Sequence, residues 1–361
     1  MLFNSGIFWC FYFLVVILLQ YNYHKIKLVN FQNILLLFAS YIFYGYWDWR
    51  FLSIIILVSF QTYLSSIFIV NFNKYRKIIL FISIGINLVI LGYFKYANFF
   101  VEEFISAFNL SNNYSLEKII LPVGISFYIF QSLTYVIDIY FKKIEYEKNP
   151  INYFTYVAFF PQLVAGPIER ASSLLPQFQT LKRITFVSLY VGVKICIIGL
   201  FLKVFIADNI ASSVDFIFAN YQNYNSGTLL LGSIGFAIQI YGDFAGYSLI
   251  AIGVAKIIGF DLMRNFNTPY FSTSIKDFWR NWHISLSSFF RDYVYIPLGG
   301  NKFQISITNR NIVLTFLISG LWHGANWTFL LWGSIHGFLL IIQSMFKIKL
   351  PKFFGWIITM T

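Results

Sequence analysis

Long apolar runs separated by short polar linkers dominate this chain. Runs at 2–20, 31–47, 51–70, 78–100 and 119–140 are each long enough to cross about 30 Å of hydrocarbon at about 1.5 Å per residue. They predict transmembrane helices. The linkers alternate in charge. Linker 21–30 holds Lys25 and Lys27, 71–77 holds Lys74, Arg76 and Lys77, and 141–150 holds Lys142, Lys143 and Lys148. Between them, 48–50 holds only Asp48 and Arg50, and 101–118 carries Glu102, Glu103 and Glu117 against Lys118. Basic linkers stay in the cytoplasm, which puts the N-terminus outside.

The second half keeps the alternation but breaks the regularity. Pro161, Gly166 and Pro167 interrupt 151–168, so a broken or re-entrant segment is expected there rather than a clean span. Segment 169–183, with Arg170, Lys182 and Arg183, returns to the cytoplasm, and 184–206 crosses outward. Loop 207–227 has Asp208 and Asp215 but no Lys or Arg, and 228–258 crosses back with Asp243 at its centre. The polar stretch 259–310 holds Arg264, Lys276, Arg280, Arg291, Lys302 and Arg310 and reads as cytoplasmic. The last run, 311–346, is too long for one untilted helix and short for two full spans. Two short or tilted helices breaking near Gly333 or Gly337 are expected, followed by Lys347, Lys349 and Lys352 inside.

Composition agrees. Of 361 residues, 58% are hydrophobic, 22% aromatic and 11% charged, against about 25% charged in a soluble domain. The runs are too continuous for the alternating strands of a membrane barrel. The net charge of +12 follows from topology, so no nucleic-acid partner is implied. Cys10 and Cys196 lie in apolar runs and read as free, inert thiols. The N-terminus lacks a basic region and a small-residue cleavage site, so 2–20 reads as a retained span. No internal repeat or soluble domain is visible. The fold class is all-α, polytopic, in one membrane-embedded domain over 1–361, with 259–310 on the cytoplasmic side.

Three places carry candidate chemistry. His323 sits within the apolar stretch Asn311–Gly337, between tryptophans and glycines. Ionisable groups in such segments face polar cavities and act there; the other reading is a packing histidine bonded to a backbone carbonyl. Ser274-x-x-Asp277, just after Pro269, opens a helix expected over 275–292. On it Lys276, Arg280, His283, Ser287 and Arg291 fall on one face. That basic stripe reads either as an interfacial helix meeting anionic lipid headgroups or as a site for an anionic ligand such as a nucleotide phosphate. Asp243 at mid-span needs a partner or water; Lys194 is one candidate, and a structural ion pair or a bond to tyrosine is the plainer reading. Asp138 and Lys203, nearer span ends, read as snorkelling. Glu169-Arg170 reads as a solvated loop pair, and His24 and His336 as structural. There is no P-loop, HExxH, CxxC or GxSxG. With 4 histidines in all, no metal site is expected.

An ordered set of strings resembles the membrane-bound O-acyltransferase (MBOAT) family. It comprises Phe159–Ile168 (FFPQLVAGPI), Asp243–Ser248 (DFAGYS), Asp277–Ser287 (DFWRNWHISLS), Arg291–Asn301 (RDYVYIPLGGN) and Leu321–Trp327 (LWHGANW). Within the family the chain looks most similar to the alginate and peptidoglycan O-acetyltransferase branch. The resemblance implies a ring of helices around a thinned centre with a cytoplasmic funnel. It implies acetyl-CoA as donor substrate with no separate cofactor, and acetyl transfer across a bacterial inner membrane to an extracytoplasmic partner, commonly a serine-dependent acetyltransferase. By motif, His323 is the expected catalytic position and His283 the family's second histidine. Leu249 stands after Ser248 where many relatives have Asp, so no role carries over there. Relatives of this branch continue for roughly another hundred residues with further spans. The chain is therefore expected to be a fragment or frameshifted product lacking C-terminal spans.

The expected mechanism makes His323 a general base that takes a proton from the acceptor hydroxyl. Asn326 and the indoles of Trp322 and Trp327 would donate to the thioester oxygen, and Arg280 and Arg291 would hold the donor's phosphates. His283 would orient the donor or assist proton transfer, with Trp279 and Asp243 as further substrate-binding candidates. D-alanyl or other acyl transfer to an envelope polymer, a polysaccharide or lipid transporter, and an assembly scaffold remain as alternatives.

Overall fold

The computed structural model describes residues 1–108, 118–346 and 351–360. Among these there is no strand. In chain order the helices are α1 (Gly6–Tyr21), α2 (Val29–Gly45), α3 (Leu52–Asn71), α4 (Arg76–Ala107), α5 (Ile125–Tyr140), α6 (Pro150–Ala158), α7 (Phe160–Leu163), α8 (Ala171–Leu174), α9 (Phe186–Leu200), α10 (Asp208–Ala219), α11 (Ser226–Ile257), α12 (Ile275–Asn281), α13 (Ile284–Phe290), α14 (Ile305–His323), α15 (Trp327–Phe346) and α16 (Lys352–Met360). Six helical runs are long and apolar enough to cross a membrane. The chain is an all-α, multi-pass membrane protein. Glu117, Lys347 and Lys349 lie outside the described residues.

Local chemistry sets the helix starts. Ser5 accepts the Phe8 N–H at the head of α1, Asn225 accepts the Thr228 N–H at the head of α11, and Thr185 and Ser188 cap α9 reciprocally. Each satisfies an N–H that a helix start leaves free. The expected break in 151–168 falls at Phe159, between α6 and α7.

Several boundaries differ from expectation. Residues 207–219 are not loop: a π-helical turn, Phe201–Ala207, joins α9 to α10 in a single 34-residue run. α4 extends to Ala107, which takes Glu102 and Glu103 into helix. The run 119–140 is helical only from Ile125. At 16 residues α5 is about 24 Å long, and it is buried inside the protein along most of its length. That enclosure explains how Ser126, Gln131, Ser132, Thr134 and Asp138 are tolerated on it. Phe130 stacks on Phe289 at 4.0 Å, and Tyr135 meets Tyr153 at 4.4 Å. Asp138 does not snorkel: it accepts from Tyr293 Oη at 2.7 Å and pairs with Lys143 at 3.1 Å.

α9 and α11 pack backbone to backbone. A Cβ on Gly199 would lie 2.7 Å from the Gly246 carbonyl oxygen, and one on Gly253 would lie 2.5 Å from Cys196 Sγ. Small residues allow this approach where apolar burial gives no drive between helices in lipid.

Glu169 and Arg170 are not a solvated pair. Glu169 is 1% exposed, and its carboxylate accepts the Met263 N–H and the Ser173 hydroxyl. Arg170 turns to Asp292 at 2.9 Å and lies 4.6 Å over the Tyr293 ring.

Candidate functional site

α14 ends at His323 because Gly324 takes an extended backbone, φ −169° and ψ 155°. The chain therefore breaks at 324–326, not at Gly333 or Gly337. Asn326 begins the next helix, its side-chain oxygen accepting the Thr328 N–H at 2.9 Å and the Thr328 hydroxyl at 3.0 Å. Gly333 serves close packing instead. A Cβ there would lie 2.3 Å from the Phe316 carbonyl oxygen, and one on Gly320 would lie 2.3 Å from that of Phe329. The resulting hairpin brings Trp332 to 4.9 Å from His323, and one turn further along α15 His336 lies 4.9 Å from Trp332.

The expected helix 275–292 is two helices. Ser274 caps α12 by accepting the Asp277 N–H, and the chain then breaks at Trp282–His283. His283 takes the left-handed φ of 43°, a strained conformation for a non-glycine residue. The break destroys the single basic face. It turns His283 inward, 2% exposed, while Arg280 and Arg291 stay exposed. His283 Nδ1 lies 3.0 Å from Asn265 Oδ1. The same oxygen accepts from Ser285 Oγ at 2.9 Å, and Asn265 Nδ2 donates to Ser248 Oγ at 3.0 Å. Burial, with the neighbouring His323 as a lesser cause, holds the His283 imidazole well below its ordinary pKa.

These pieces line a partly open cavity of about 810 Å³. His283, Trp322, His323, Trp332, His336 and Trp279 line it, with Lys95 from α4 and Phe244 from α11. Among the described residues, buried polar atoms without a hydrogen-bond partner concentrate here: Trp279 Nε1, His283 Nε2, Trp322 Nε1, His323 Nε2 and His336 Nδ1. Each such atom is costly unless water or a ligand meets it. Neutral imidazoles can accept a proton, indole N–H groups can donate to a carbonyl oxygen, and the rest of the wall is mostly apolar.

The cavity thus gathers His323, His283, Trp279 and Trp322. It does not gather the others. Trp327 is 61% exposed and packs on Phe99, and Asn326 is spent as a cap. Arg291 pairs with Asp292 at 2.7 Å. Asp243 lines a separate, smaller cavity of about 360 Å³. It pairs at 2.6 Å with Lys203, not Lys194, and Lys203 also holds Asp208 at 2.6 Å. Sequence reasoning passed over Lys95, Asn265 and the place of His336 in the wall. The signals present were a lysine inside an apolar run, and Trp332 and His336 four residues apart on one helix face.

The fold and the cavity define a multi-pass membrane protein with a histidine-bearing, aromatic-walled site. The membrane-bound O-acyltransferase (MBOAT) family matches residues 41–361; the chain belongs to this family and is an O-acyltransferase. It is 42% identical over 350 residues to the probable alginate O-acetylase AlgI of Pseudomonas putida, covering 95% of this chain and 70% of that protein. It is 41% identical over 355 residues to the protein of that name in Azotobacter vinelandii, covering 96% and 70%. It is 35% identical over 398 residues to the peptidoglycan O-acetyltransferase of Helicobacter pylori, covering 99% and 75%.

Proposed function

We propose that the protein takes an acetyl group from cytoplasmic acetyl-CoA and passes it across a bacterial inner membrane for O-acetylation of an extracytoplasmic polysaccharide. The observation that carries this reading is one cavity presenting both His323 Nε2 and His283 Nε2 without partners. The relatives' names supply the acetyl group and the polysaccharide class.

The chemistry requires little beyond positioning, because a thioester is already activated. His323 removes the proton from an acceptor hydroxyl as its oxygen attacks the thioester carbonyl. The C–S bond breaks, and the departing thiolate recovers the proton from the imidazolium, giving an ester and free CoA. The indole N–H of Trp322 donates to the carbonyl oxygen as negative charge develops. His283 Nε2 orients the donor or relays a proton. Arg280 stays available outside the cavity for the donor's phosphates, whereas Arg291 is occupied by Asp292. An extracytoplasmic serine-dependent acetyltransferase is the partner that would deliver the group to the polymer.

Purified protein incubated with radiolabelled acetyl-CoA and a hydroxyl acceptor is expected to cleave the thioester, and folded His323→Ala to lose that activity. A folded His323→Ala protein with undiminished turnover would overturn the assignment. Label transfer from a D-alanyl donor and not from acetyl-CoA would favour the other acyl chemistry.

A further inference from the structure

Two consecutive residues of α4 reach the last turn of α14, and we propose that Lys95 and Tyr96 are positioning residues that hold His323 in place. Within a helix each carbonyl bonds the N–H four residues on. Because α14 stops at His323, the Leu321 and Trp322 carbonyls lose the partners that Ala325 and Asn326 would supply. The Gly324 N–H to Gly320 carbonyl bond, at 3.4 Å, is the last of the ladder. α4 replaces the missing donors. Tyr96 Oη donates to the Leu321 oxygen at 2.7 Å, and Lys95 Nζ donates to the Trp322 oxygen.

Lys95 is set for this role in other ways. Its ammonium also reaches Ser126 Oγ at 3.4 Å and lies 5.0 Å from the centre of the Trp322 ring. A cation at a helix C-terminus is favoured by the helix dipole. Among the described residues no carboxylate forms an ion pair with it. A lysine inside a 35-residue membrane-crossing run is expensive without such a partner, and what it holds is the peptide group joining Trp322 to His323. Fixing that plane fixes the Cα from which the imidazole projects, and catalytic groups need placement within about 0.5 Å.

The proposal rests on His323 being the reactive base, and two readouts separate the claims. Turnover and KM for acetyl-CoA are measured for Lys95→Met, Lys95→Arg and Tyr96→Phe, and the reactivity of His323 toward diethyl pyrocarbonate is followed by mass spectrometry. Lys95→Met is expected to lower kcat by about 10- to 100-fold with KM little changed, Lys95→Arg to recover part of it, and carbethoxylation of His323 to change rate in Lys95→Met. Tyr96→Phe, which removes one hydroxyl, is expected to show the same pattern more weakly and decides the matter if Lys95→Met does not fold. Unaltered carbethoxylation of His323 in the folded variants overturns the clamp whatever turnover does, as does a raised KM with unchanged kcat. Full turnover by His323→Ala would instead overturn the catalytic reading, leaving carbethoxylation to judge the clamp.

Discussion

His283 Nδ1 and Asn265 Oδ1 stand 3.0 Å apart, and this contact fixes the state of the imidazole. The amide is oriented by its neighbours: its oxygen accepts from Ser285 and its nitrogen donates to Ser248. An oxygen opposite Nδ1 requires the proton on Nδ1, which leaves Nε2 as a free acceptor. Asn265→Ala is expected to reduce turnover by about 10²-fold. Asn265→Asp puts a carboxylate there, raises the His283 pKa and moves the acidic limb of the pH–rate profile toward neutrality. The profile of kcat/KM against pH checks both.

Glu169 gives a stability prediction. Burial pushes its carboxyl up to about 7, partly offset by the Met263 and Ser173 hydrogen bonds. The folded protein therefore holds this proton more tightly than the unfolded chain does. Stability from this group is full below about pH 4.5 and is lost as pH rises through about 7, by at most about 3 kcal/mol. Glu169→Gln, which keeps an acceptor for Met263, is expected to flatten that slope. Thermal unfolding in detergent at pH 5 and pH 8 would show it.

The α9–α11 contact predicts an asymmetric response to added side chains. Gly199→Leu drives atoms into the Gly246 carbonyl and is expected to cost about 3 kcal/mol or more. Gly85, with nothing within 4 Å of its notional Cβ, is the control: Gly85→Ala is expected to be about 0.5–1 kcal/mol stabilising. Melting temperatures of the two variants decide.

Lys203 sits 2.6 Å from each of Asp208 and Asp243. Lys203→Met leaves two carboxylates around an empty centre and should destabilise more than Asp243→Asn. The double variant should fall short of additivity by about 1 kcal/mol, given the partial exposure of the pair. A double-mutant cycle on thermal stability tests this.

The apolar runs made most membrane helices legible, because length and hydropathy alone decide them. Breaks were less legible where the residue involved had another use. Gly333 resembles a breaker, yet it lies mid-helix because the Phe316 backbone comes too close for any side chain. Trp282–His283 has no proline or glycine to announce its break; the packing of His283 against Phe244 at 4.6 Å and its bond to Asn265 outweigh helical propensity. For the same reason Arg280 and His283 were expected on one face and are not. His323 was visible as a costly residue in an apolar run, whereas His336 gained interest only where the fold sets Trp279 of α12 against it, 5.1 Å ring to ring. Glu169 was unreadable because its partners are a backbone N–H 94 residues away and a nearby hydroxyl.

Phe244 lines both the large cavity and the small one that holds Asp243. One phenyl ring thus forms part of the wall of each. The ring also packs on the His283 imidazole at 4.6 Å, so a change at this one position reaches both spaces and the imidazole together. Trimming it would enlarge both spaces and leave the imidazole loosely held.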